Sequence, residues 1–180
     1  MHEQIKIKEA KYFLKQMTSH VNDSEAFTFN LSAFIAAARS VLQYALEEAK
    51  CEAGGQSWYD EQVTNKEIIK FFKDKRDINI HSKPISPSAK VSVSLKSTIQ
   101  VSGSFEAIIL HKDGSTEEIA SAESKPSSSP TPNSESKVSY EYYFSDWKGR
   151  EDVLNLCNTY MSEIESLIAN GVSKGILSET

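Results

Sequence analysis

A mainly α chain, built as a four-helix bundle with an antiparallel β hairpin or meander inserted before the last helix, is predicted by three features of the sequence. Apolar residues recur at spacings of three and four through the first half and again near the end; the period drops to two between Ala89 and Phe144; and a Ser/Pro-rich stretch interrupts that β segment. At 180 residues, 39% hydrophobic and 25% charged, the chain has the composition of a globular protein and the length to bury one core. The bundle is expected from residues 1–84 and 146–173, and the β-rich insertion from 85–145.

The first helix is read from about Glu3 to His20, with Ala10, Phe13, Leu14 and Met17 forming one stripe. Asn22-Asp23-Ser24 supplies a break and a cap. A second helix of about 30 residues follows. It carries Phe27, Leu31, Phe34, Ile35, Ala38, Leu42, Ala45 and Ala49 on one side, and Gly54-Gly55 is its expected stop. Thr64 and Glu67 match the S/T-x-x-E capping pattern, so the third helix is predicted to open at Thr64 and to end before Pro84. Val91, Val93 and Leu95, then Phe105, Ala107 and Ile109, then Val138, Tyr140, Tyr142 and Phe144 alternate as strand residues do, with Asp113-Gly114 as a hairpin turn. Ser121 to Ser136 has almost no apolar content and is predicted to be a mobile, disordered loop. The last helix is expected from Asp146 to Gly171, with Val153, Leu156, Cys157, Tyr160, Met161, Ile164, Leu167 and Ile168 facing the core.

Charge and composition exclude several functions. The N-terminus is charged and lacks the apolar region of a secretory signal. The best uncharged run, Leu31 to Ala38, is far shorter than the roughly 18 residues that span a bilayer. A cytoplasmic protein with no membrane association is therefore expected, with Cys51 and Cys157 reduced and Cys157 in the core. A net charge of −5 argues against coating nucleic acid by bulk electrostatics. Two local basic runs stand out nevertheless. Lys6, Lys8, Lys11 and Lys15 lie in the first helix, and Lys66, Lys70, Lys73, Lys75, Arg76 and Lys83 outnumber Glu67, Asp74 and Asp77 in the third. Both runs also read as solvated helix faces. Arg39 is expected to pair with a carboxylate such as Glu47 or Asp77; His2, His20 and His111 to lie on the surface; Trp58 and Trp147 to act as packing staples beside helix starts.

No Gly-rich phosphate loop, His/Cys ligand cluster or GxSxG elbow is present, so no cofactor and no metal are expected. The one constellation with chemical content closes the third helix: Phe71-Phe72-Lys73-Asp74-Lys75-Arg76-Asp77-Ile78-Asn79-Ile80-His81-Ser82-Lys83-Pro84. A neutral imidazole at His81 suits proton abstraction from a ribose 2′-hydroxyl near neutrality, and the Arg76 guanidinium suits a phosphate. On a straight helix the two are about 140° apart, so either the helix breaks near Asn79 or two chains contribute. The same cations also suit a helix C-terminus for reasons of dipole alone. Ile78 and Ile80 read as core or interface residues.

Arg76 and His81 enclose four residues, and the stretch resembles the R-x(4-6)-H motif of the HEPN superfamily, whose arginine is commonly followed by a polar residue, here Asp77. The second helix, Leu31-Ser32-Ala33-Phe34-Ile35-Ala36-Ala37-Ala38-Arg39-Ser40-Val41, is similar to that family as well, and the likeness covers about residues 5–84 and the last helix. The resemblance implies a helical bundle acting as a metal-independent endoribonuclease on RNA, with Arg76 and His81 catalytic and Asp77 supporting. It further implies a homodimer whose motifs meet at the interface, the toxin of a toxin-antitoxin or phage-defence pair, and a nucleotidyltransferase-type antitoxin as partner. A non-catalytic helical module of the same family, binding a protein or nucleotide through the β insertion, is the alternative.

Overall fold

The computed structural model describes residues 2–96, 105–111, 114–122 and 135–178. Five helices and four strands follow in the order α1 (His2–Ser19), α2 (Ser24–Ala49), α3 (Gly55–Thr64), α4 (Glu67–His81), β1 (Ser88–Lys96), β2 (Phe105–Leu110), β3 (Thr116–Ala122), β4 (Glu135–Tyr143) and α5 (Val153–Ser173). The fold is mainly α with an antiparallel hairpin before the last helix, as the periodicities predict. Two compact units form, one of residues 1–92 with 139–180 and the other of residues 93–138. None of the helices is long and apolar enough to cross a membrane among the described residues.

The first unit is organised around α2. Asp23 caps it, its carboxylate accepting from the backbone N–H of Glu25 at 3.1 Å and of Ala26 at 3.0 Å. All eight residues assigned to its apolar side are buried. The centre is aromatic: Phe72 of α4 stacks on Tyr160 of α5 at 4.5 Å and 8°, and Phe34 of α2 meets both edge-on at 6.3 Å. The end of β4 closes this core, with Tyr142 stacked on Phe27 at 3.8 Å and Phe144 against Phe71 at 5.3 Å. Tyr142 also donates its hydroxyl to the Val21 carbonyl at 3.0 Å, which ties the strand to the α1–α2 turn.

Four boundaries differ from the expectation, each for a reason that packing supplies. Thr64 does not open a helix: it is the last residue of α3, and Lys66 caps α4 without a side-chain bond. The extra helix exists because Trp58 and Tyr59 have their own core to fill, being 5% and 4% exposed, and the Trp58 indole N–H reaches Asn170 at 2.8 Å. Gly54-Gly55 starts this helix rather than stopping α2, which ends at Ala49; Gly54 takes φ +78° at the N-cap and Gly55 sits against the Ala49 carbonyl. Likewise α5 begins at Val153, capped by Asp152, seven positions after Asp146. Gly171 is a buried helical residue touching Leu177 and Trp58; the left-handed residue beyond the helix is Gly175, φ +68°.

In the β segment β1 pairs with β4, and β2 pairs antiparallel with β3 from Phe105↔Ala122 to Leu110↔Thr116, with an irregularity between Ala107 and Ile108. The β2–β3 turn falls at Gly114, φ +87°, where the His111 N–H bonds the Ser115 carbonyl at 2.8 Å; Asp113 lies outside the described residues. Most of the Ser/Pro stretch expected to be mobile, residues 123–134, also lies outside them.

Both cysteines are free; Cys51 is exposed, and burial of Cys157 pushes its thiol well above the ordinary value. The Tyr160 hydroxyl is buried and has no hydrogen-bond partner among the described residues. A buried unsatisfied hydroxyl costs about 1–3 kcal/mol, so Tyr160→Phe should keep the ring stack and raise stability by about 1 kcal/mol. In thermal unfolding this reads as an increase of about 2–4 °C. A fall in the midpoint would mean that the hydroxyl is satisfied by an internal water.

Candidate functional site

Helix α4 presents the Arg/His constellation. Besides its aromatic packing, three polar contacts among the described residues hold it along its length. Lys66 pairs with Glu163 of α5 at 2.5 Å. Lys75, whose side chain is only 14% exposed, donates to both Asp146 oxygens at 2.5 and 2.7 Å and lies over the Phe71 and Phe144 rings at 5.1 and 4.7 Å. Asn79 is the third contact: its Nδ2 donates to Ser32 Oγ on α2 at 2.7 Å, and its Oδ1 accepts from the Ile85 N–H at 2.9 Å. Ile85 itself re-enters the core after Pro84 and is 7% exposed.

The helix does not break near Asn79; it runs unbroken from Glu67 to His81. Arg76 and His81 are therefore five residues apart on one regular helix, about 140° around its axis, and one chain does not turn them toward a common point. Arg76 is part-buried, with its side chain 26% exposed, and its Nη1 donates to Asp77 Oδ1 at 3.2 Å. His81 is exposed at the final helical position. Between them Ile78 and Ile80 are 37% and 49% exposed, which removes the core reading of these two residues and leaves them as accessible apolar surface.

Much of the basic character seen in the sequence is neutralised on folding. In α1, Lys6 pairs with Glu9 at 2.6 Å and Lys11 pairs with Glu165 of α5. Lys66, Lys75 and Arg76 have carboxylate partners, while Lys70 and Lys73 are exposed and form no ion pair among the described residues. Arg39 departs from expectation. Glu47 pairs with Lys50 at 2.7 Å and Asp77 with Arg76, so neither serves Arg39. Its guanidinium instead stands by the Tyr59 and Tyr160 phenols, where it opposes the upward push that burial gives both.

His2, His20 and His111 are exposed, as expected. Trp58 and Trp147 are packing residues: Trp147 lies 4.9 Å from the Phe71 ring and donates its indole N–H to Glu151 at 2.8 Å. No group of three or more His, Cys, Asp or Glu side chains is placed to hold a metal ion among the described residues. Sequence reasoning took Asn79 only as a possible break in the helix and gave Ser32 no role. The available signal was a polar, poor helix-forming residue set between two isoleucines in a helix's last turn.

No protein-family model matches the chain, and neither the curated proteins nor the solved structures contain a significant match to it.

Proposed function

We propose that the chain is a HEPN-like, metal-independent endoribonuclease that acts as a homodimer. The observation that carries this reading is the placing of Arg76 and His81 on the accessible terminal turns of an unbroken α4, on different sides of it. Two copies related by a two-fold axis would bring the arginine of one and the histidine of the other to one phosphate. A line of small and aromatic residues with exposed ends supports such pairing. Phe29, Ala33, Ala36, Ser40 and Tyr44 follow one another at spacings of three and four on α2; Phe29 is 65% and Tyr44 40% exposed. Arg39 is the only charge in the sequence between Glu25 and Glu47.

In the proposed reaction His81 takes the proton of a ribose 2′-hydroxyl. The O2′–P bond forms as the P–O5′ bond breaks, giving a 2′,3′-cyclic phosphate and a 5′-hydroxyl that receives a proton from an imidazolium or water. Arg76, oriented by Asp77, balances the charge developing on the phosphoryl oxygens. A role as the toxin of a toxin-antitoxin or phage-defence pair, with a nucleotidyltransferase-type antitoxin, belongs to the same proposal.

The test is degradation of RNA in excess chelator by wild type, His81→Ala and Arg76→Ala. Wild type should cleave, and loss of the general base should lower the rate by about 10²–10⁴-fold. Equal rates in all three proteins overturn the reading. Phe29→Glu should give monomers by light scattering and the same loss of cleavage. The net charge of −5 and the pairing of Lys66, Lys75 and Arg76 favour one rival, a non-catalytic module that binds a protein or nucleotide. An inactive wild type selects it.

A further inference from the structure

We infer that Asn79 is the positioning residue for His81, fastening the end of α4 to α2 on one side and to the outgoing chain on the other. The catalytic meaning of this assignment rests on the nuclease reading above, while the fastening itself can be measured without it.

The last turn of a helix frays because its carbonyls and side chains lack partners further along the chain. His81 is the final helical residue of α4 and is exposed, and its side chain makes no hydrogen bond or ion pair among the described residues. Asn79, two residues earlier, points the opposite way and is part-buried. The orientation of its amide follows from its partners. The Ile85 N–H needs an acceptor, which places Oδ1 toward it at 2.9 Å and Nδ2 toward the Ser32 hydroxyl at 2.7 Å. One side chain therefore joins α2, α4 and the segment beyond Pro84.

The chain between Asn79 and Ile85 becomes a closed loop pinned at both ends, and His81 sits within it. The Ser82 and Lys83 N–H groups, both bonded to the Ile78 carbonyl at 2.9 and 3.0 Å, tighten the same turn. Burial of Ile85 anchors the far end. An imidazole that must meet a 2′-hydroxyl within hydrogen-bond reach gains its precision from this support, since a displacement of about 1 Å can cost about 100-fold in rate. An aspartate at 79 would accept from both the Ile85 N–H and the Ser32 hydroxyl, but would place a negative charge in this part-buried site. A leucine would fill the space and hold neither.

The test combines kinetics with amide and imidazole NMR on the full chain. Asn79→Ala and Ser32→Ala should each lower kcat for RNA cleavage, the first by about 10–100-fold, with KM within about twofold of wild type. The Asn79→Ala/Ser32→Ala double variant should be no worse than Asn79→Ala, because the two share one bond. In hydrogen exchange the Ile85 amide should lose protection in Asn79→Ala but keep it in Ser32→Ala, and the His81 imidazole signals should broaden or shift in Asn79→Ala. If wild type proves inactive on RNA, the nuclease reading fails and the NMR arm alone judges the fastening. Unchanged His81 signals with an unchanged Ile85 exchange rate overturn the assignment. So does a kcat loss fully explained by a lower folded fraction in both single variants. Should Asn79→Ala not fold, Ser32→Ala, which removes a single bond, carries the kinetic and imidazole measurements.

Discussion

Replacing Phe72 with alanine should destabilise the protein by about 3–5 kcal/mol, the largest loss expected from any single truncation in the bundle. Phe72 is fully buried and, among the described residues, is the one ring in contact with aromatic groups from three other directions: Tyr160 of α5, Phe34 of α2, and Phe144 just past β4. Removing it opens a cavity where α2, α4 and α5 meet, and those helices cannot close in because their other side chains are already packed. Denaturant unfolding followed by helical circular dichroism measures the loss. A shift below about 1 kcal/mol would mean that the ring is not central to the core. Phe72→Leu, which keeps most of the volume, should recover more than half of the stability.

The second large effect is expected at Gly55. A Cβ there would lie 2.0 Å from the Ala49 carbonyl oxygen and 2.8 Å from its carbon, both backbone atoms at the end of α2. Backbone cannot rotate out of the way as a side chain does, so Gly55→Ala must push α3 from α2 and should cost about 3 kcal/mol or more. Its neighbour provides the control. Gly54 has open space around its missing Cβ, and only its φ of +78° resists substitution. Gly54→Ala should therefore cost about 1–2 kcal/mol. A Gly54→Ala loss equal to or greater than that of Gly55→Ala would refute the close approach of the two helices.

The parts of this architecture that could be read from sequence are those fixed by long, repetitive apolar spacing. In α2 eight residues at regular intervals define a face, and every one of them is buried, because a 26-residue amphipathic helix has one way to cover that face. Short-range polar signals were less decisive. Thr64-x-x-Glu67 has the form of a capping box, yet the burial of Trp58 and Tyr59 makes Thr64 the end of α3. Asp146 and Asp152 are both acceptable helix caps by residue type. The difference is tertiary, since Asp146 is engaged by Lys75 while Asp152 is free to accept from the Asn155 N–H at 2.9 Å.

The candidate site divides in the same way. Arg76, Asp77 and His81 are visible as a spacing, and the Arg76–Asp77 contact of neighbours along the chain follows from it. Asn79, Ser32 and Ile85 are separated by up to 53 positions, and no local pattern announces that a side chain in one helix will bridge the other two. Arg39 shows the limit from the other side. Charge alone assigns it a carboxylate, and only the packing of α2 by α3 and α5 sets its charge beside the Tyr59 and Tyr160 phenols, which it holds down against the push of burial.

That α5 arrives after the whole β excursion has a consequence for biosynthesis. Its residues Tyr160, Ile164 and Leu167 occupy the centre of a core whose helical walls, α1 to α4, are complete by His81, with Tyr142 and Phe144 added only at the end of the excursion. On the ribosome, α1 to α4 must wait with that centre uncovered while some seventy further residues are translated, a delay of about 4–14 s at the usual elongation rate. A message cut short within the excursion would release a chain with an open greasy cleft, a ready substrate for chaperones and proteases.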